Sequence, residues 1–262
     1  MPDPTTPPSA EPLTDDDVRR YREQGYLHLR QVLTPQEVAD HRAAAEALLE
    51  REVPVIWGES ESVTQVHYVE EAWLKSEALR SLALHPAVTG IARRLAGVPL
   101  RLYSSDILLK KPYKALPTMI HDDEAGLPLA ELSQTLTAWI ALTDVPVERG
   151  CLEYVPGSHL RADAERQIHM MSFDEYRPMA EIWPDFIWQP RVAVPVRAGD
   201  VTFHHFRTVH MAGANTTGEP RLANGVIYMD DGAAYRPGVQ DHHLSGLRPG
   251  QPLGGDTFPS IG

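Results

Sequence analysis

At 262 residues with 42% hydrophobic content, the chain can bury a sizeable core as one large domain or two small ones. Its 36 acidic residues outnumber 24 basic ones, and the resulting net charge of −12 excludes an obvious nucleic-acid or anionic-membrane surface and favours small-molecule chemistry. Cys151 is the single cysteine, so neither an intramolecular disulfide nor a cysteine-built zinc site is available. The acidic, proline-rich start lacks the pattern of a signal peptide, and no apolar run reaches membrane-spanning length, which together predict a cytoplasmic protein.

Residues 1–12 read as a flexible tail. Thr14-Asp15-Asp16-Asp17 has the form of a capping box with acids at the positive end of a helix dipole, and a short helix ending near Gly25 follows. Tyr26 to Arg30 alternates like a strand. Thr34-Pro35-Gln36-Glu37 supplies a cap, a proline at the first helical position and a glutamate at the third, while Val38, Ala45 and Leu49 share a face, which predicts a helix to about residue 51. Ile56 to Tyr68 reads as irregular and polar. Helices are expected over Glu70 to Leu82 and Pro86 to Ala96, with Gly97 as the stop.

Beyond Gly97 the character changes. Pro99 to Lys111, Leu136 to Leu142, Leu152 to Val155, Arg191 to Val196, Val201 to Phe206 and Leu222 to Met229 are short β-type runs punctuated by Pro, Gly, Asn and Asp. Helices followed by many short strands predict a mainly β, jelly-roll-like double sheet with flanking helices. One domain over 13–262 is expected, with a helical layer at 13–97 and a sheet core at about 98–230. An insert at 161–190 holds His169, Met170, Met171, Tyr176, Trp183, Phe186 and Trp188. It reads equally as a lid and as a surface element sealing the sheets. The segment from Gly232 onward, with His242-His243, is expected to be partly ordered, since Tyr235 and Val239 need burial.

The stretch Ile120-His121-Asp122-Asp123-Glu124 carries the first chemistry. In an extended segment His121 and Asp123 point one way and Asp122 the other, giving two-thirds of the 2-His-1-carboxylate triad of non-haem iron oxygenases. The competing reading is a surface turn in which Asp122 or Asp123 caps what Glu124-Ala125-Gly126 begins. A second histidine must come from Thr202 to His210, where alternation sets His204 and His205 on opposite sides and His210 stands apart. Between His210 and Arg221 a turn-rich link would bring the two together. Arg221 could bind a carboxylate with its planar fork, or pair at the surface with Glu219.

Taken together, His121-Asp122-Asp123, Ala138 to Asp144, Glu148-Arg149-Gly150-Cys151-Leu152, Val155-Pro156-Gly157-Ser158-His159, Ala198-Gly199-Asp200-Val201, and His210 to Asn215 with Arg221 resemble the phytanoyl-CoA dioxygenase family of Fe(II)- and 2-oxoglutarate-dependent oxygenases. The resemblance extends over roughly residues 100–229 and includes the opening helix, Gly25-Tyr26 and the Thr-Pro-Gln-Glu helix. It implies a double-stranded β-helix, cupin-like core, with iron held by His121, Asp123 and His210. Arg221 would bind the far carboxylate of 2-oxoglutarate, and Trp139 would line the cosubstrate pocket. His159 is expected to organise its turn and Cys151 to be a packing residue.

Fe(II), 2-oxoglutarate and O2 are the implied cofactors, yielding succinate and CO2. The carboxylate at Asp123 favours oxygenation over halogenation, because related halogenases replace it with a small residue. The expected substrate is a small natural product of bacterial specialised metabolism, as in antibiotic biosynthesis, oxidised by hydroxylation or oxidative ring closure at an unactivated C–H. An acyl-CoA would call for a basic patch beyond Arg93-Arg94 and Lys110-Lys111. Trp183, Trp188, His169 and Tyr176 could stack on a ring, while His204, His205, Asp230 and Asp231 are candidates for polar contacts or structural roles. The alternative is a non-redox jelly-roll metal protein, a hydrolase, isomerase or ligand-binding module, for which Arg221 would have no purpose.

Overall fold

A computed structural model describes residues 13–60, 63–167, 170–171, 175–238 and 244–262. Helix α1 (Asp15–Gln24) begins with the expected capping box: Thr14 Oγ1 accepts from the Asp17 amide at 3.1 Å and the Asp17 carboxylate accepts from the Thr14 amide at 3.0 Å. Gly25, at φ 80°, ends it in the left-handed region, where a residue without Cβ carries no penalty. Strand β1 (Tyr26–Leu29) follows, and α2 (Pro35–Arg51) repeats the capping box with Thr34 and Glu37.

The stretch expected to be irregular is instead a hairpin, β2 (Val55–Ser60) antiparallel to β3 (Val63–Val69). Thr64, Val66, His67 and Val69 are all buried, so β3 is covered on both faces and lacks the polar alternation that marks a half-buried strand. The single helix expected over Glu70 to Leu82 is two, α3 (Ala72–Lys75) and α4 (Glu77–Ala83), because Ser76 is extended (φ −145°, ψ 123°) and caps α4. Helix α5 (Pro86–Ala96) stops at Gly97 as predicted. The last helix, α6 (Met179–Ile182), lies in the insert.

The remaining strands are β4 (Leu100–Lys110), β5 (Thr118–His121), β6 (Leu129–Ala130), β7 (Leu136–Ala141), β8 (Leu152–Tyr154), β9 (Val192–Val194), β10 (Val201–His205), β11 (His210–Ala212), β12 (Arg221–Asp230) and β13 (Ala234–Tyr235). They form a seven-stranded sheet, β1-β10-β7-β12-β4-β3-β2, facing a four-stranded sheet, β5-β11-β8-β9, with β13-β6 as a small third sheet. Among the described residues every ladder is antiparallel. This is the jelly-roll core that the strand pattern predicts.

Alternation decides which side chains serve packing and which serve the interior. Leu136, Ala138 and Ile140 of β7, Val201 and Phe203 of β10, and Leu222, Val226 and Tyr228 of β12 join the apolar cluster under the helices. Each such Leu, Ile or Phe contributes about 1.5–3 kcal/mol by leaving water. The intervening residues Thr137, Trp139, Thr202, His204, Arg221 and Gly225 therefore face between the sheets.

The insert divides its aromatics. Trp183 and Phe186 pack with Val155, Met179 and Val209, whereas Trp188 is 81% exposed and so stacks on nothing inside. Met170 and Tyr176 reach the interior, and Tyr176 donates its hydroxyl proton to the Ile120 carbonyl. His169, Val239 and His242-His243 lie outside the described residues. Near the C-terminus Tyr235, Leu244, Leu253 and Phe258 are buried together. Among the described residues no helix is long and apolar enough to cross a membrane.

Candidate active site

Strand β5 ends at His121, and Asp122 stays extended (φ −117°, ψ 160°) before a short 3-10 turn, Asp123–Gly126. Asp122 Oδ1 accepts from the Ala125 amide at 3.1 Å and caps that turn. It is not at the surface, however: it is buried and pairs with the equally buried Arg161. Asp123 points the other way. Capping thus falls to Asp122 and leaves the Asp123 side chain out of the cap.

Strand β11 lies antiparallel to β5 with His210 registered on His121, so the two imidazoles leave neighbouring strands on one face, ring centroids 4.3 Å apart. One donor atom from each of His121, Asp123 and His210 falls within 4.8 Å of the others. His121 Nδ1 is 2.8 Å from the Met119 carbonyl and His210 Nδ1 is 2.9 Å from the Thr208 carbonyl. A carbonyl only accepts, so both Nδ1 atoms carry the proton and both Nε2 lone pairs are available to a metal. Burial pushes both imidazoles down from their ordinary value, toward the neutral form that ligates a metal.

Burial alone would raise the Asp123 carboxyl, but a hydrogen bond from His204 and the surrounding imidazoles outweigh it and hold the group well below the usual carboxylate range. Thr137 Oγ1 donates to Asp123 Oδ2 at 2.6 Å and His204 Nε2 is 3.2 Å from the same oxygen. Oδ1 is left facing His210 Nε2 at 3.7 Å. The other nitrogen of His204 is 3.3 Å from the Tyr154 hydroxyl, which donates to Thr202 Oγ1 at 2.9 Å. His204 therefore supports the carboxylate from behind, a role that sequence reading left among several options.

Across the cavity Arg221 is 2% exposed and makes no pair with Glu219. Its Nη1 donates to the Gly150 carbonyl at 3.1 Å, its guanidinium sits 5.3 Å above the Trp139 ring, and its Nε has no partner among the described residues. Burial brings its pKa down to about 10. A buried cation with an unused donor and no carboxylate of its own suits an anionic ligand. The link before Arg221 is not a hairpin, because β11 belongs to the four-stranded sheet and β12 to the seven-stranded one. His210 and Arg221 instead face one cavity from opposite sheets.

That cavity has a volume of about 580 Å³ and includes His121, Asp123, His210, Trp139 and Arg221 in its walls. This exceeds what a small keto diacid fills and lies within the usual size of ligand sites. Val55, Ile56 and Val66 of the β2–β3 hairpin and Met170 of the insert complete an apolar side. Other singled-out residues serve the scaffold. Asp230 accepts from the amides of Ser133, Gln134 and Thr135, and Asp231 pairs with Arg101. His205 sits against the Ser133 carbonyl at 3.1 Å, and burial lowers it to about 3. His159 Nε2 is 3.0 Å from the Arg22 carbonyl, tying its turn to α1, and Cys151 is buried with its thiol pushed up by burial.

Comparison with known proteins adds an independent line. The family model for phytanoyl-CoA dioxygenase matches residues 21–223. A mouse phytanoyl-CoA dioxygenase domain-containing protein 1 is 30% identical over 162 residues, 61% of this chain and 55% of that protein. The chain thus spans about half the length of that mouse relative. The crystal structure of SnoK, a non-haem alpha-ketoglutarate-dependent carbocyclase from nogalamycin biosynthesis, matches at TM-score 0.95 and 64% identity, covering 98% of this chain and 100% of that one. The epimerase SnoN, crystallised with Fe3+, alpha-ketoglutarate and nogalamycin RO, matches at TM-score 0.84 and 45% identity, covering 95% and 98%. A family model over most of the chain and solved relatives of the same shape agree: the chain belongs to the phytanoyl-CoA dioxygenase family and is an iron- and 2-oxoglutarate-dependent enzyme.

Proposed function

We propose that the protein closes a carbon–carbon ring on a natural product related to the intermediates of nogalamycin biosynthesis. The observation that carries this reading is the 64% identity to a carbocyclase across 98% of the chain. His121, Asp123 and His210 would hold the iron, and Arg221, braced by Trp139, the far carboxylate of 2-oxoglutarate. On this reading residues 13–262 form one catalytic domain, with 161–190 as its lid, since Met170 and Tyr176 line the cavity.

When bound, the iron and 2-oxoglutarate together supply an oxidant strong enough to take hydrogen from an unactivated C–H. The protein's residues do the rest. Asp123, kept ionised by His204 and Thr137, and the two imidazoles of His121 and His210 would hold the metal with a single negative charge. Arg221 fixes one end of the cosubstrate through a charge-assisted pair in a dry setting. Val55, Ile56, Val66 and Met170 exclude water and hold two substrate carbons together, the condition under which loss of two hydrogens gives a ring rather than an alcohol. Those hydrogens leave as water, with one O2 and one 2-oxoglutarate consumed and succinate and CO2 released.

The first test is anaerobic. Protein with Fe(II) and 2-oxoglutarate should give the weak visible band of a chelated keto acid, and Asp123→Ala, His210→Ala and Arg221→Ala should lose or greatly weaken it. Turnover of nogalamycin-type intermediates should then release succinate and a product lighter by two hydrogens. A product heavier by one oxygen, or of unchanged mass, overturns ring closure, and the absence of the band overturns the oxygenase reading.

A further inference from the structure

We infer that Asp106 is the docking point for a protonated amine carried by the substrate; this deepens the reading of the cavity given above and rests on it. Asp106 lines the cavity, on β4 in the seven-stranded sheet. Its registered neighbour on β12 is Gly225, whose own neighbour on β7 is Trp139. Registered residues share a face, so Asp106 and Trp139 flank a position that has no side chain. A Cβ there would meet Leu108 Cδ1 at 3.3 Å. Glycine keeps the floor open between the carboxylate and the indole, two strand spacings or about 10 Å apart. Thr137, which hydrogen-bonds Asp123, lies on the same face of β7 two residues from Trp139. An amine seated on Asp106 would therefore leave the body of a ring-sized molecule lying toward the triad.

The surroundings select the charge of the ligand. Asp106 Oδ1 accepts from the Glu71 amide at 2.9 Å, and among the described residues the carboxylate has no other hydrogen bond and no ion pair. Lys75, the nearby cation, lies 3.6 Å from Glu52. Glu70 and Glu71 add further negative charge on this side, and burial followed by their repulsion pushes the Asp106 carboxyl up to about 7. The Tyr68 ring and the apolar Val66 and Leu108 make up the adjoining wall. Beside a hydroxyl ligand the carboxyl keeps its proton, whereas an ammonium draws that proton off, pairs with the charge and gains from the aromatic face beside it. The cavity is then polarised, with a guanidinium for the keto acid at Arg221 and a carboxylate for the substrate at Asp106.

The experiment uses the whole protein loaded with Fe(II) and 2-oxoglutarate under argon, titrated calorimetrically with two probes of one shape: naphthylmethyl-dimethylamine, cationic at neutral pH, and its neutral isostere isobutylnaphthalene. The amine should bind about tenfold more tightly than the isostere. Asp106→Asn keeps an oxygen for the Glu71 amide and removes the charge, so it should fold, retain the visible keto-acid band, and bind the two probes equally. Equal affinities in the parent, no heat from the amine at millimolar concentration, or a preference that survives Asp106→Asn overturns the inference. Failure of the oxygenase reading is separate, because it appears as loss of the band in the parent before any probe is added.

Discussion

Replacing Arg221 with methionine tests the cosubstrate role twice, with opposite signs. Without 2-oxoglutarate the guanidinium is buried and, among the described residues, makes one hydrogen bond, to Gly150, and leaves Nε unpaired. Burial that lowers its pKa to about 10 corresponds to about 3 kcal/mol of unfavourable environment for the charged form. Against this stand the contact with Trp139 and the Gly150 hydrogen bond, each about 1 kcal/mol. The variant should therefore be about 1 kcal/mol more stable than the parent, a rise in Tm of about 2–4 °C for a chain of this size. With 2-oxoglutarate the sign reverses. Loss of a forked, desolvated guanidinium–carboxylate pair costs about 3–4 kcal/mol, so affinity for the keto acid should fall about 100- to 1,000-fold. Thermal unfolding with and without 2-oxoglutarate, together with titration of the visible band, measures both. A variant less stable than the parent in the absence of ligand, with unchanged affinity, would refute the reasoning.

Three further outcomes follow from neighbouring residues. His204→Gln should weaken iron binding about 10- to 100-fold through the loosened Asp123, read by competition with a chelator; equal affinity would show that Thr137 alone suffices. Asp122→Ala strands the buried Arg161 and should cost about 3–5 kcal/mol in denaturant unfolding, and Asp122→Ala with Arg161→Met should recover part of that loss. The Asp106 carboxyl, pushed up to about 7 in the folded chain against about 3.9 unfolded, keeps its proton longer in the folded state. Its contribution to stability therefore declines as pH rises from about 4 to 7. Asp106→Asn should gain on the parent across that window, and a flat difference between about pH 5 and 8 would contradict it.

Where local chemistry fixes local structure, the sequence is readable. Thr14 with Asp17 and Thr34 with Glu37 cap helices wherever they occur, and Gly25 and Gly97 end them for a backbone reason. The alternation of β10 correctly separates His204 from His205. The β2–β3 hairpin is hidden in the sequence because the polar residues of β3, Thr64, Gln65 and His67, fall on both of its faces and leave no period to read. Alternation sets His204 opposite His205 without telling which of them faces inward, and the partner of His204, Asp123, lies 81 positions away, a pairing that nothing within β10 reports. The burial of Arg221 under Trp139, and the exposure of Trp188, are likewise products of tertiary placement that residue type alone does not determine.

Gly25 does more than end a helix. A Cβ there would fall 2.4 Å from His159 Nδ1 and 2.5 Å from Thr208 Oγ1. Its carbonyl accepts from the Thr208 hydroxyl at 2.7 Å and from the His205 amide at 2.9 Å. Thr208 in turn supplies the carbonyl that orients His210. The join between the first helix and the first strand is thus a keystone pressed into the loop that aims a histidine almost two hundred positions later. Shortening this protein from its N-terminus, or grafting its sheets onto another scaffold without α1, should leave β-structure standing while its aim is lost.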